Sequence, residues 1–262
     1  MNLTNKIKAV SAFALVAGLA LAAAGAAFAA GGAAPAAATG GMKPPAGEKT
    51  NIDVWNSPGG EKDEALHLKP DTKNGRDVYE VCAACHMPEG WGLDDGTFPQ
   101  LAGQHRKVII KQLADIRALN RDNPTMYPFA LPSQIGGPQS IADVSEYIAK
   151  LPMNPNNGVG DGKDLEHGKK LYKENCVRCH GENGEGDVEK YYPRIQAQHY
   201  KYMLRQFEWI RDKKRRNANP DMVQQIKNFT DRDMKAVIDY TSRIKPPKEM
   251  IAPVGWLNPD FK

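Results

Sequence analysis

The sequence predicts an all-α protein built from two tandem small helical domains. Three observations carry this prediction. An internal repeat runs without gaps at an offset of 94 residues from the first Cys-x-x-Cys-His pentapeptide to Arg117. Apolar residues recur at helical spacing in each copy, with no convincing strand alternation. Each copy also holds one Cys-x-x-Cys-His pentapeptide. The domains are expected at residues 71–153 and 165–246, joined by a linker at 154–164 and followed by a tail at 247–262.

Ahead of them, Lys6 and Lys8 precede a mostly apolar run, Val10 to Leu21, and Ala27-Phe28-Ala29 supplies small residues at a cleavage site. Residues 1–29 therefore read as a secretory signal peptide; a retained anchor is the alternative, though the run is short and diluted for a span. Residues 30–49 are almost wholly Ala, Gly, Pro and Thr, and residues 30–70 as a whole are expected to form a flexible tether and extension. No later stretch is apolar enough to cross a bilayer.

Each copy reads as helix, pentapeptide, Gly-rich loop, helix, Met-bearing loop, helix. The first helices are expected over 74–84 and 166–178, after Gly75-Arg76-Asp77-Val78-Tyr79 and Gly168-Lys169-Lys170-Leu171-Tyr172. Helices at about 104–120 and 197–214 carry one apolar face each, with Val108, Leu113, Ile116 and Leu119 in the first and Met203, Phe207 and Ile210 in the second. The last helices are expected to start at Ser140 and Thr230, capped there with Asp143 and Asp233 three residues on, and to end before Pro152 and Pro246. In register, Pro99 matches Pro193, Gln104-His105 matches Gln198-His199, and Ile116-Arg117 matches Ile210-Arg211. After a two-residue insertion Asn123-Pro124-Thr125-Met126 falls opposite Asn219-Pro220-Asp221-Met222.

The four cysteines all lie in Cys82-Ala83-Ala84-Cys85-His86 and Cys176-Val177-Arg178-Cys179-His180. Two disulfides, a redox dithiol or a zinc site would each use Cys-x-x-Cys, but none of them requires the adjacent histidine. Covalent haem requires every part: two thiols add to the two vinyl groups along one porphyrin edge, and the next side chain ligates iron from below. The sequence thus predicts two covalently bound haem c groups, attached at Cys82, Cys85, Cys176 and Cys179, with His86 and His180 as iron ligands. For the sixth position Met126 and Met222 stand first, because they occupy the same place in both copies and a thioether favours the ferrous state. Met153 and the repeated pair His105/His199 are the alternatives; the latter sit where a helix-opening structural histidine is expected. His67 and His167 have no such pairing and read as surface residues.

Charge is uneven. Residues 71–152 hold 8 Lys+Arg against 10 Asp+Glu, and residues 165–250 hold 19 against 13. This bears on steering and partner choice. The run Lys213-Lys214-Arg215-Arg216 reads either as a patch that steers an acidic partner or as a solvated helix end. No nucleic-acid motif accompanies the overall net charge of +4.

Residues 71–250 resemble class I cytochrome c, and the di-haem cytochrome c4 family in particular. The likeness rests on the two pentapeptides, on Phe98-Pro99-Gln100-Leu101-Ala102-Gly103-Gln104-His105 with its partner Tyr192-Pro193-Arg194-Ile195-Gln196-Ala197-Gln198-His199, and on the Asn-Pro-x-Met segments. The resemblance implies two class I cytochrome c domains, each folded around one haem, with the Pro99 and Pro193 carbonyls aimed at the haem histidines. It also implies an electron carrier of the bacterial periplasm rather than an enzyme. Its expected partners are an electron donor and a terminal oxidase or nitrogen-oxide reductase, with docking to membrane-bound complexes. Residues 50–70, the Leu131–Pro138 insertion and the 246–262 tail depart from the family pattern. The tail, with Trp256 and Phe261 among prolines, is expected to pack across a domain surface. Two other readings remain open at this point. One is the electron-entry subunit of a larger oxidoreductase such as a sulfide or alcohol dehydrogenase; the other is a di-haem peroxidase, which would need an open iron.

Overall fold

The computed structural model describes residues 55–262. The expected signal peptide and the extension up to residue 54 lie outside the described residues. Helices α1 (Gly60–His67), α2 (Thr72–His86), α3 (Arg106–Arg117), α4 (Tyr127–Ala130), α5 (Pro132–Ile135) and α6 (Pro138–Lys150) form the first half. The second half holds α7 (Leu165–Asn175), α8 (Val177–His180), α9 (Tyr200–Arg211), α10 (Pro220–Ile226) and α11 (Asp231–Ser242). Two isolated bridges, Met153 with Ile251 and Asp187 with Tyr192, are the only extended pairings among the described residues.

The same crossing builds each half. α2 lies on α6, and α7 lies on α11. A Cβ at Gly75 would stand 2.3 Å from the Asp143 carbonyl oxygen, and one at Gly168 would stand 2.1 Å from that of Ala236, so these two glycines let the helix backbones touch. Tyr79 and Tyr172 fill the neighbouring space, fully buried, and donate to the carbonyls of Met87 (2.9 Å) and Gly181 (2.7 Å) just past the pentapeptides. Ile110, Ile141, Val144 and Ile148 complete the first core; Met203, Phe207, Ile226, Met234 and Val237 complete the second.

Some expected details differ. Asp71 caps α2, accepting from the backbone of Lys73 (2.8 Å). Thr230 and Asp233 form a reciprocal capping box on α11, as the spacing predicts. Ser140 caps nothing: α6 opens at Pro138, whose fixed φ suits a first turn. Asp143 instead accepts from the Asp71 backbone (2.7 Å) and the Asn74 side chain (2.7 Å), tying α6 to the start of α2. Residues 55–70 are not a tether. α1 packs on α3 and α6, with Ala65 fully buried, and Arg106 donates to the carbonyls of Ala65 and Leu68 (both 3.1 Å). Lys111 lies 4.3 Å from the Trp55 ring centre, a cation–π contact.

The tail returns to the first half, as expected. Trp256 lies tilted against Trp91 (5.8 Å between ring centres) and Phe261 meets Tyr79 edge-on (6.0 Å). Asn258 donates to the Pro88 carbonyl (2.6 Å) and the Tyr147 hydroxyl (3.0 Å).

The two halves meet through their repeated residues. Gln198 accepts from the Gln100 backbone N–H (2.9 Å) and donates to its carbonyl (2.8 Å). Gln104, the mate of Gln198, does the same to Arg194, the mate of Gln100, with both bonds at 2.9 Å. The reciprocity continues at His199, which bonds the Trp91 carbonyl (2.6 Å), and His105, which bonds the carbonyl of Glu185 (2.7 Å), 94 residues after Trp91. Contacts that recur with their roles exchanged define a two-fold, isologous interface, here formed within one chain.

Candidate functional site

Each pentapeptide ends a helix. Cys82, Cys85 and His86 lie on the last turns of α2; Cys176 ends α7, and Cys179 with His180 lies on α8. None of the four cysteines is joined in a disulfide. Cys82 and Cys176 line the apolar cores of their halves, where burial pushes both thiols up to about 12.

The histidines are held alike. His86 Nδ1 lies 3.0 Å from the Pro99 carbonyl oxygen, and His180 Nδ1 lies 3.1 Å from that of Pro193. A carbonyl can only accept, so Nδ1 carries the proton and Nε2 keeps its lone pair. Burial lowers the pKa of both imidazoles, against the carbonyl bond that opposes it, and so favours the neutral form a metal needs. Such a bond also fixes the ring and raises its basicity as a ligand. The Gly-rich loops have a specific task here. Gly92 and Gly186, both at positive φ (+66° and +78°), lie where a Cβ would stand 2.5 and 2.7 Å from the Pro99 and Pro193 carbonyl oxygens. Only glycine lets the loop close over the carbonyl that orients the histidine. The donor set of two thiols, one neutral imidazole and a Met-bearing segment fits haem c, and no cluster of three or more His, Cys, Asp or Glu suited to a bare metal ion occurs among the described residues.

Met126 precedes α4, its N–H bonded to the Asn123 carbonyl and side chain (both 3.1 Å), and its side chain packs on the first core. Met222 packs on the second core but lies inside α10 rather than in the expected loop. Asn219 caps that helix by accepting from Asp221 N–H (2.8 Å). Met153 is buried against Gly103 and lines a small polar cavity between the halves with Gln100, Gln104 and Gln198. His105 and His199 are committed to the interface, as above. His67 is exposed, and His167 is half-buried, bonded to Asp233 (2.6 Å).

Sequence reasoning missed the interface. The Gln104-His105/Gln198-His199 match was visible, but repetition alone does not separate a ligand from a contact. The basic run also divides. Lys213 and Lys214 are exposed, whereas Arg215 and Arg216 turn into the other half. Arg216 grips Asp122 with two bonds of 2.7 Å, and Arg215 donates to Gln112 (3.0 Å) and Gln206 (3.1 Å). Neither the four-residue steering patch nor the solvated helix end describes it.

Residues 72–152 and 165–244 each match the Cytochrome c family. The cytochrome c4 of Thiocapsa roseopersicina is 34% identical over 170 residues, covering 61% of this chain and 85% of that one. The structure of reduced recombinant cytochrome c4 from Pseudomonas stutzeri superposes with a TM-score of 0.60 at 25% identity, over 67% of this chain and all of that one. A cbb3-type cytochrome c oxidase subunit, CcoP of Azospirillum brasilense, is 34% identical over 126 residues, 44% of this chain and 41% of that subunit. With two such domains, two haem-attachment sites and repeated proline-held histidines, the chain belongs to the cytochrome c4 family of di-haem electron carriers, and it is a carrier rather than an enzyme.

Proposed function

We propose that this protein is an exported, periplasmic relay that passes single electrons between a respiratory donor and a terminal oxidase or reductase, its irons closed by His86 with Met126 and by His180 with Met222. The observation that carries the reading is the matching histidine–proline bond in both halves, together with Met126 and Met222, which pack on the same cores as Cys82 and Cys176. Two alike, six-coordinate centres suit outer-sphere exchange and leave no open iron for a substrate. Haem supplies the one-electron couple; the chain does the rest. Pro99 and Pro193 hold the imidazole proton at Nδ1, Gly92 and Gly186 close the loops over those carbonyls, and the buried core beside each cysteine excludes water.

The test is optical. Ferric haem with a Met ligand shows a weak charge-transfer band near about 695 nm. The oxidised protein should show it, Met126→Ala and Met222→Ala should each remove about half of it, and its absence from the native protein refutes the assignment. Export predicts that protein recovered from the periplasm begins at Ala30. The likeness to CcoP supports a terminal oxidase as the acceptor. It also favours a second reading, a subunit held within an oxidoreductase, in which case the haems would co-fractionate with that complex in native extracts.

A further inference from the structure

Arg117, the last residue of α3, holds the segment that follows Met126. Its Nε donates to the carbonyl of Ala130, which ends α4, and its Nη2 to the carbonyl of Gly136, just past α5 (2.6 Å). Met126 opens that stretch, and its own carbonyl accepts from the N–H groups of Phe129 and Ala130 (both 3.1 Å). One guanidinium therefore pins both ends of residues 130–136. The nearer pin is on the residue whose N–H holds the Met126 carbonyl.

The charge of that guanidinium is balanced from outside the domain. The Arg117 side chain is 6% exposed, and among the described residues its ion pair is with Glu61 of α1 alone. Burial lowers the Arg117 pKa, and Glu61 opposes that shift. The repeat mate, Arg211, is arranged otherwise. It is 23% exposed and pairs with Asp212 (2.8 Å) and Asp231 (3.0 Å), both within the second half. In the first half Ala118 stands in the place of Asp212, and Pro138 opens α6 where Asp231 opens α11. Neither supplies a carboxylate. α1, which lies ahead of the Cytochrome c match at residues 72–152, does. It is itself firmly docked: Ala65 is fully buried, Arg106 donates to two of its carbonyls, and Lys62 lies 5.7 Å from the ring centre of Tyr191 in the second half.

We propose that Glu61 is a positioning residue for the first haem: through Arg117 it holds the Met126 segment, so that α1 sets how firmly Met126 closes the first iron. Met222 depends on its own half alone. The proposal rests on the reading that Met126 and Met222 are the sixth ligands. Its physical basis is the cost of a buried cation that has lost its partner. Without Glu61 the guanidinium is drawn toward water, and the Ala130 and Gly136 carbonyls lose their donor. A segment released in this way lets the iron–sulfur bond open more often although no ligand has changed.

The test is imidazole binding to the oxidised di-haem protein, because imidazole takes an iron only when its methionine leaves. The band near about 695 nm is recorded in parallel as the measure of Met ligation. Glu61→Gln should raise the imidazole affinity of one haem about tenfold, the lower end of the range for losing a group that orients a ligand. That haem should be the one whose share of the band is missing in Met126→Ala, and the other should keep its native affinity. Glu64→Gln, an exposed neighbour in α1, should leave both haems native. Arg117→Gln should give the same rise, and adding Glu61→Gln to it should add little, because the two side chains act as one unit. The partly exposed Glu61 puts folding least at risk, so Glu61→Gln decides the matter even where the Arg117 variant fails to fold. No rise, an equal rise at both haems, or additive rises in the double variant would overturn the proposal. A native protein without the band refutes the ligand assignment and this proposal with it; a native band with Glu61→Gln unmoved refutes this proposal alone.

Discussion

Truncating Gln198 to alanine tests whether the two halves are held by the reciprocal glutamine bonds. The side chain, 8% exposed, makes three bonds: it accepts from the backbone N–H groups of Gln100 (2.9 Å) and His199 (3.0 Å) and donates to the Gln100 carbonyl (2.8 Å). Gln100 is itself 4% exposed, so its N–H and carbonyl would both lose their partner where water has poor access. A buried group left unsatisfied costs about 1–3 kcal/mol. Two such groups, partly relieved by water entering the polar cavity beside them, place Gln198→Ala at about 3 kcal/mol. For a protein of this size that lowers the melting temperature by roughly 6–12 °C. Gln104→Ala breaks the mirror-image bonds to Arg194, but Gln104 is only half-buried, so the loss there should be smaller. Differential scanning calorimetry of the di-haem protein measures both. The double variant should resolve the single transition into two, one per half, because the bonds that couple them are gone. If Gln198→Ala melts within about 1 °C of the native protein, the interface is held by something other than these bonds and the argument fails.

Gly75→Ala and Gly168→Ala should each destabilise by roughly 1–3 kcal/mol in urea titrations, since the forced separation of the crossing helices outweighs the helix propensity gained. Gly186→Ala should displace the Pro193 carbonyl and shift the potential of the second haem well beyond that of the first, read by potentiometry. Asp233, lowered to about 2 by the Thr230 hydroxyl and His167, stabilises the fold fully above its ordinary value near 4 and loses that contribution as pH falls toward 2. Asp233→Asn should therefore cost about 1 kcal/mol at pH 7 and almost nothing near the acid end of that window, measured by denaturation across pH. Asn258→Ala should cost about 1–3 kcal/mol and loosen the tail, read as faster proteolysis after residue 250.

Much of the chemistry was legible because local sequence determines it. A Cys-x-x-Cys-His pentapeptide defines its own spacing, and a proline 13 residues on in both copies signals a shared use of its carbonyl. What escaped depends on contacts far apart in the chain. α1 has few apolar residues to announce it; it is helical because α3 reaches up to it, through Arg106 to two carbonyls and Arg117 to Glu61. Arg215 and Arg216 read as surface charge because nothing in their neighbourhood reveals Gln112 and Asp122, about 100 residues earlier. Ser140 looked like a cap because Ser followed by Asp is a cap signal, but the proline two residues before it had already opened the helix.

Where the copies diverge, the two-fold interface becomes polar and unequal. Gln100 is matched by Arg194, and Ala102 by Gln196, whose amide atoms are buried without partners beside the cavity between the halves. Asp122 is matched by Arg216 at the same offset, and the two pair with each other across the interface. Duplication of a domain yields equal centres and a symmetric contact as its starting point, and electrons have no preferred direction between equal centres. Changes at positions that already face both halves alter the electrostatics around the two irons without touching any of their ligands. That is an economical route to a relay with a direction, and it adds to the difference the attachment motifs themselves carry, Ala84 in the first against Arg178 in the second.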